Sequence, residues 1–387
     1  MIQTLRPPRE TKPVDRPTVM RAAVYMADQN PHRDRSLGIT TMTQSLIAEL
    51  FSRKDIDWTQ IVSRSSFRGE GESVATCPLP FGTDYFLGRL LADSLHPRLA
   101  GIDVDVLYYP KGYAPWSSVS APSIGTMHDT IIQHYADHYP ETRSKLAFRY
   151  WIRASRRSLE RFDRVLTVSQ TAAGQLHSFC DRHGIQPPPI EVTYESSPWE
   201  KYRDLSFEKG DFVVHLASSA VHKRTTYLVE QWDQLLRRRS DLPELVLVGS
   251  LDKASKAIVS QSDDMRVLPR LPLNELRDLV GRARALILPS EIEGFGLPAI
   301  EAYYVGTPAC YVSDTSVDEV LNLELAGDSV PGKFELDEPT SFETALDEVL
   351  GLSSIEVAET SDRLYELFSA SRVANRVVAA LKRSAGR

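Results

Sequence analysis

The chain has 387 residues, 42% of them hydrophobic and 25% charged, with a net charge of −7. That length exceeds what a single core sustains, so two domains are expected. The composition is that of a soluble globular protein, no apolar run reaches the ~20 residues that span a bilayer, and the acidic balance argues against nucleic acid as a partner.

The first 18 residues, rich in Pro and Arg, lack the apolar core of a signal peptide and read as a flexible N-terminal tail. The apolar run at 19–27 has the character of a central parallel strand. A polar loop leads from it into a helix at 39–51. Further β-type runs fall at 104–109, 122–127, 164–168 and 190–194, with helices between them at 141–162 and 171–183. The polar stretch 196–210 contains Pro198 and reads as the connection between domains. A second alternating series then begins, with strands at 211–217, 244–248, 265–268 and 284–288 and helices at 225–238 and 273–281. Strands alternating with helices of this length imply α/β domains with parallel sheets, which take ligands at the carboxyl ends of their strands. The expected domains are 19–200 and 201–370, with a helix at 371–387 returning to the first. Cys77, Cys180 and Cys310 lie far apart, without pairing or metal-ligand spacing, which fits a reducing cytoplasm.

The segment SEIEGFGLPAIEA at 290–302 carries the most chemistry. It follows the apolar run LILP and places carboxylates at Glu293 and Glu301, glycines at Gly294 and Gly296, and a proline at Pro298. Pro298 suits the first turn of a helix, where a missing N–H costs nothing. The glycines then bring bare backbone N–H groups to the positive end of the helix dipole, where phosphate binds. Glu293 and Glu301 are eight residues apart, about 12 Å at ~1.5 Å per residue if the stretch were wholly helical. A sugar nucleotide has that reach from sugar to ribose.

Glu293-Gly-Phe-Gly-Leu-Pro-Ala-Ile-Glu301 resembles the E-x7-E signature of retaining glycosyltransferases of family 4, which have the GT-B fold of two Rossmann-like domains facing a central cleft. The resemblance implies that Glu293 contacts the donor sugar near its anomeric carbon and that Glu301 holds the ribose, with Gly294, Phe295, Gly296 and Leu297 around the diphosphate. His215 to Arg224, HLASSAVHKR, resembles the family's G-x-x-x-x-R-K-N/G segment. Lys223 falls on the lysine that binds the diphosphate, with Ser218 and Arg224 beside it as donor-binding candidates. Three departures stand out: Ala217 replaces glycine, His222 replaces arginine, and Arg224 takes the Asn or Gly position. Thr126 to Thr130, TMHDT, is similar to the family's histidine motif; His128 would line the reaction centre and Asp129 could orient it. Gly38 would belong to a glycine loop against the β-phosphate, Gly249 to the turn after a strand, and Arg270 and Leu271 to the base contact. Many members carry an Asn-Gly turn at the domain junction, where this chain has Tyr194-Glu-Ser-Ser-Pro198.

The implied activity is transfer of a sugar from a nucleoside diphosphate sugar to a saccharide or lipid-linked acceptor in cell-surface polysaccharide or glycolipid synthesis, with no cofactor. A GT-B sugar-nucleotide epimerase would need added acidic groups for eliminating the diphosphate, and a non-catalytic partner subunit would not need all four of Glu293, Glu301, Lys223 and His128. A dehydrogenase would need a G-x-G-x-x-G after a strand, which this chain lacks. Asp103 and Asp105 form an Asp-x-Asp pair of the kind that holds a divalent metal, but they open a strand and read as strand-end structure. The stretch 143–164 has eight Arg/Lys and two acidic residues interleaved with aromatics. It reads as a surface helix with an aromatic inner face, or as a basic face for peripheral contact with anionic lipid.

Overall fold

The computed structural model describes residues 19–27, 37–62, 73–76, 103–114, 121–325, 327 and 329–386. The N-terminal tail, Cys77 and the loop that precedes Gly38 lie outside them.

Two parallel sheets organise the described residues. The first has seven strands, β1 (Met20–Tyr25), β2 (Ile56–Val62), β3 (Ser73–Thr76), β4 (Val106–Tyr109), β5 (Ser123–Met127), β6 (Arg164–Thr167) and β7 (Ile190–Val192), in the order 3-2-1-4-5-6-7. The second has six, β8 (Phe212–Ala217), β9 (Glu244–Gly249), β10 (Met265–Leu268), β11 (Leu286–Leu288), β12 (Ala309–Val312) and β13 (Lys333–Phe334), in the order 10-9-8-11-12-13. Each order reverses beside its first strand, next to β4 in one sheet and β11 in the other, and such switch points open a crevice at the strand ends.

Central strands are apolar on both faces because helices cover both. Ala22, Ala23, Val24 and Tyr25 are all buried, as are Val213, Val214, Leu245, Val246 and Leu247. The helix Ala370–Ser384 places Val373, Val377 and Leu381 with Ala374 and Val378 on one stripe. That stripe enters the core of the first sheet with Met42, Leu46 and Leu50 of the helix Leu37–Phe51. Thus the last helix of the chain packs on the first domain. A second core runs through the seam, joining Val168 and Ala172 of the first half to Phe295, Ala299 and Val317 of the second. Leu297 touches both this core and that of the first sheet.

Most expected elements are present with ends shifted by a few residues. The expected helix 141–162 is instead a 3-10 turn at Pro140–Thr142 and a helix at Lys145–Arg161, broken where Ser144 caps the second through Ala147 N–H. The helix Ile131–His138 and strand β2 were not anticipated. Asp103 and Asp105 both pair with Arg21 at the amino-terminal edge of the first sheet, away from the strand ends that face the cleft.

Candidate active site

Four strand ends of the second sheet carry residues of the expected donor site: Arg270 and Leu271 beyond β10, Gly249 at the end of β9, Ser218 to Arg224 after β8, and Glu293 after β11. Strands lie about 4.8 Å apart, so these ends span about 14 Å across the sheet. An extended ligand can lie along them.

The loop after β8 is fixed from beneath. His215 is fully buried and donates from Nδ1 to the Ile287 carbonyl at 2.9 Å, while its Nε2 accepts from Thr225 Oγ1 at 2.9 Å. Thr225 Oγ1 in turn accepts from Ser218 N–H at 3.2 Å. This tautomer requires a neutral ring, and burial pushes the His215 pKa down to about 4. The chain of donors ties β8, β11 and the start of the helix Thr225–Leu236, so the intervening residues leave the sheet in one direction. Ser218 Oγ accepts from Ala220 N–H and closes that turn. Arg224 sits at φ +50°, in the left-handed region. This explains why its position suits Asn or Gly, which take that conformation cheaply.

Lys223 and Glu293 meet. Lys223 Nζ donates to Glu293 Oε1 at 2.5 Å. Burial pushes the Glu293 carboxyl up, but the Lys223 ammonium more than offsets this and the group lies below the usual glutamate range. Gly294 must be glycine, because a Cβ would come within 2.2 Å of the His128 carbonyl oxygen. Gly296 caps the helix Leu297–Tyr304 at φ +94°, where a Cβ would strike Val317 at 2.5 Å. Phe295 turns its ring inward against Phe368 at 5.3 Å, so its backbone is what it offers a ligand. Gly249, at φ +132°, leaves no room for a Cβ beside the Ala217 carbonyl. Glu301 accepts from Ser197 Oγ at 2.7 Å, and burial pushes its carboxyl up to about 7.

His128 follows β5 and is 7% exposed. Its Nε2 donates to the Pro110 carbonyl at 2.8 Å, and its Nδ1 lies 2.5 Å from Glu195 Oε1. Burial lowers its pKa, but the Glu195 carboxylate more than reverses this and the ring is held toward the imidazolium. Asp129 does not orient His128. Its carboxylate accepts instead from Ile131 N–H at the head of the next helix, and Glu195 takes the orienting place. Gly38 lies in the first turn of the helix Leu37–Phe51. Arg270 is exposed beyond the edge strand β10, and Leu271 is half-buried against the second core.

The junction Tyr194-Glu-Ser-Ser-Pro198, which departs from the family pattern, supplies Glu195 to His128 and Ser197 to Glu301. Tyr194 itself takes φ +62°, so the left-handed turn that Asn-Gly would make is kept by a tyrosine. Its ring is held by Phe368 at 5.2 Å and by the Arg376 guanidinium at 4.9 Å. Glu291 was also missed. It accepts from Arg224 Nε at 2.6 Å and from Tyr139 Oη at 3.0 Å, and lies 3.0 Å from His134 Nε2. A polar junction and an acidic residue near a turn carry no local signal of partners so far away in sequence. Among the described residues, no group of three His, Cys, Asp or Glu could hold a metal ion.

Residues 199–350 match the family described as Glycosyl transferases group 1. The O-antigen chain mannosyltransferase RfbU of Salmonella typhimurium is 29% identical over 201 residues, 50% of this chain and 52% of that protein. The chain thus matches about half the length of this curated relative. Sucrose-phosphate synthase from Thermosynechococcus elongatus superposes with a TM-score of 0.68 over 94% of this chain and 98% of its own, at 13% identity. HepE of Anabaena, in complex with UDP and glucose, superposes with a TM-score of 0.58 over 94% of this chain and 100% of its own, at 14% identity. The fold is therefore GT-B, and residues 199–350 are similar to the glycosyl transferases group 1 family.

Proposed function

We propose that this chain is a retaining glycosyltransferase that moves a sugar from a nucleoside diphosphate sugar to an alcohol of a saccharide or lipid-linked acceptor. The observation that carries the reading is the partly buried Lys223–Glu293 pair at the strand ends of the second sheet, beside the glycine-bared start of the helix Leu297–Tyr304. A departing diphosphate gathers negative charge, and a preorganised ammonium with backbone N–H groups stabilises it without reorganisation. Glu293, held ionised, is placed to polarise the sugar near its anomeric carbon, while Glu301 takes the ribose. His128 contributes a fixed, doubly tethered ring at the first-domain wall. Its tethered nitrogens leave no free base there, which suits a front-face route in which the leaving phosphate helps to deprotonate the acceptor.

The likeness to an O-antigen chain mannosyltransferase supports cell-surface polysaccharide synthesis and makes mannose nucleotides the first donors to try. The exposed face formed by Lys145, Leu146, Arg149 and Arg153 supports peripheral contact with anionic lipid. Cosedimentation with phosphatidylglycerol vesicles, weakened in Arg149→Glu/Arg153→Glu, would bear this out; identical binding by both proteins would sink it. Among the described residues no helix is long and apolar enough to cross a membrane.

Purified protein should release nucleoside diphosphate from one nucleotide sugar in a panel, and EDTA should leave that release intact, because Lys223 and backbone N–H groups already balance the diphosphate. A panel with no protein-dependent turnover would reject the reading. Turnover abolished by EDTA and restored by manganese would reject its metal-independent chemistry.

A further inference from the structure

Glu291 stands two residues before Glu293, and the pair repeat one pattern against the loop after β8: Glu293 takes Lys223 and Glu291 takes Arg224. The difference lies in what else each touches. Glu291 also meets two groups of the first domain, the Tyr139 hydroxyl and the His134 ring, both at 3.0 Å. Its own N–H donates to the His222 carbonyl, and His222 Nδ1 lies 2.5 Å from the Tyr135 hydroxyl. So one turn of the second domain is bound both to its own cationic loop and to the end of the helix Ile131–His138 across the cleft.

A carboxylate with a side-chain exposure of only 11% carries a desolvation cost, and an apolar contact would hold two domains together equally well. What a carboxylate adds is linkage between partners that cannot otherwise meet. Arg224 points the same way. Its left-handed backbone is costly for a side chain other than Gly or Asn and persists only where surroundings over-determine it. The Glu291 ion pair reaches its guanidinium from outside the loop.

We infer that Glu291 is a positioning residue that couples closure of the two domains to the setting of the Lys223–Arg224 loop. This deepens the transferase reading and rests on it for the effect on turnover, though not for the coupling itself. With the cleft closed, Tyr139 and His134 hold Glu291. Glu291 then fixes Arg224, and Lys223 next to it is held at the diphosphate position. With the cleft open, the loop loses that restraint.

The test reads amide hydrogen exchange and kinetics on Glu291→Gln, Tyr139→Phe and the double variant of the full chain. Tyr139→Phe, a change in the first domain, should speed exchange at 221–224 in the second, and Glu291→Gln should speed it both there and in 131–138. In turnover, Glu291→Gln should lower kcat about tenfold with less than about a threefold change in donor KM, as for a step of closure rather than binding. The double variant should lose little more than the worse single one. Unchanged exchange at 221–224 in Tyr139→Phe, or strictly additive losses in kcat, would overturn the coupling. A wild-type protein that turns over no nucleotide sugar would reject the transferase reading instead, and the exchange experiment would still decide the coupling. Should Glu291→Gln fail to fold, Tyr139→Phe alone carries the exchange test.

Discussion

Glu301 shows how burial sets chemistry at a single residue. Its folded pKa of about 7 lies above the ordinary 4.5, because burial disfavours the charge more than Ser197 restores it. A carboxyl raised on folding contributes stability that is fully present below about pH 4.5 and is lost as pH rises through about 7. Glu301→Gln keeps the shape without the titration. Its Tm should therefore exceed that of the wild type at pH 8.5 by at least about 1 °C, for about 1 kcal/mol in a chain of this size, and match it at pH 4. A gain of equal size at both pH values would contradict the assignment. Lys223 acts through charge that must be present when the diphosphate leaves. Lys223→Ala should slow transfer by a few orders of magnitude, on the scale of ~3–4 kcal/mol, and Lys223→Arg should recover part of that. Full activity in Lys223→Ala would move the diphosphate contact to another residue, with Arg224 the first to examine.

Among the elements, the helix Gln170–His183 has its first turn satisfied by both domains. Ser169 Oγ accepts from Ala172 N–H, and Glu319 of the second domain accepts from Gln170 and Thr171 N–H at 2.7 and 2.6 Å and from the Thr171 hydroxyl at 2.7 Å. A carboxylate belongs at this end of a helix, where free N–H groups and the dipole favour negative charge. Glu319→Ala should cost about 1–2 kcal/mol and speed amide exchange at 170–171, a loss comparable to that of an N-cap. Protection unchanged there would show that the contact carries no stability. Elements of this kind were partly legible. Val373, Val377 and Leu381 repeat at helical spacing, and LILP before a glycine turn reads as a buried strand and its exit. By contrast β2 gives little signal in IDWTQIV, where Trp58 is buried between the polar Asp57 and Thr59 and the polar Gln60 is buried as well. The end of the expected helix 141–162 was set by Ser144 as a cap rather than by any break in the apolar pattern.

At the scale of the whole molecule, the expected two-sheet arrangement followed from alternating strand and helix patterns. The candidate site followed from short motifs that place Lys223 and Glu293 just beyond strands and Glu301 in the helix after the second of them. What sequence could not supply were partners far apart in the chain, within the first domain or across the two. Glu195 meets His128 across 67 positions, Ser197 meets Glu301 across 104, and Glu291 meets Tyr139 across 152. Such pairs have no spacing to read, because the fold alone brings them together. The Asp-x-Asp pair was legible in kind, as strand-end carboxylates, but its partner Arg21 on β1 was not.

The most direct measurement compares wild type and Glu293→Gln in two assays, turnover of the nucleotide sugar found in the donor panel and calorimetric affinity for the matching nucleoside diphosphate. A carboxylate that acts on the sugar rather than the nucleotide should lose at least about a hundredfold in turnover, while the affinity changes by less than about threefold. Equal, modest losses in both assays, or turnover untouched, would contradict the assignment of Glu293 and with it the proposed site.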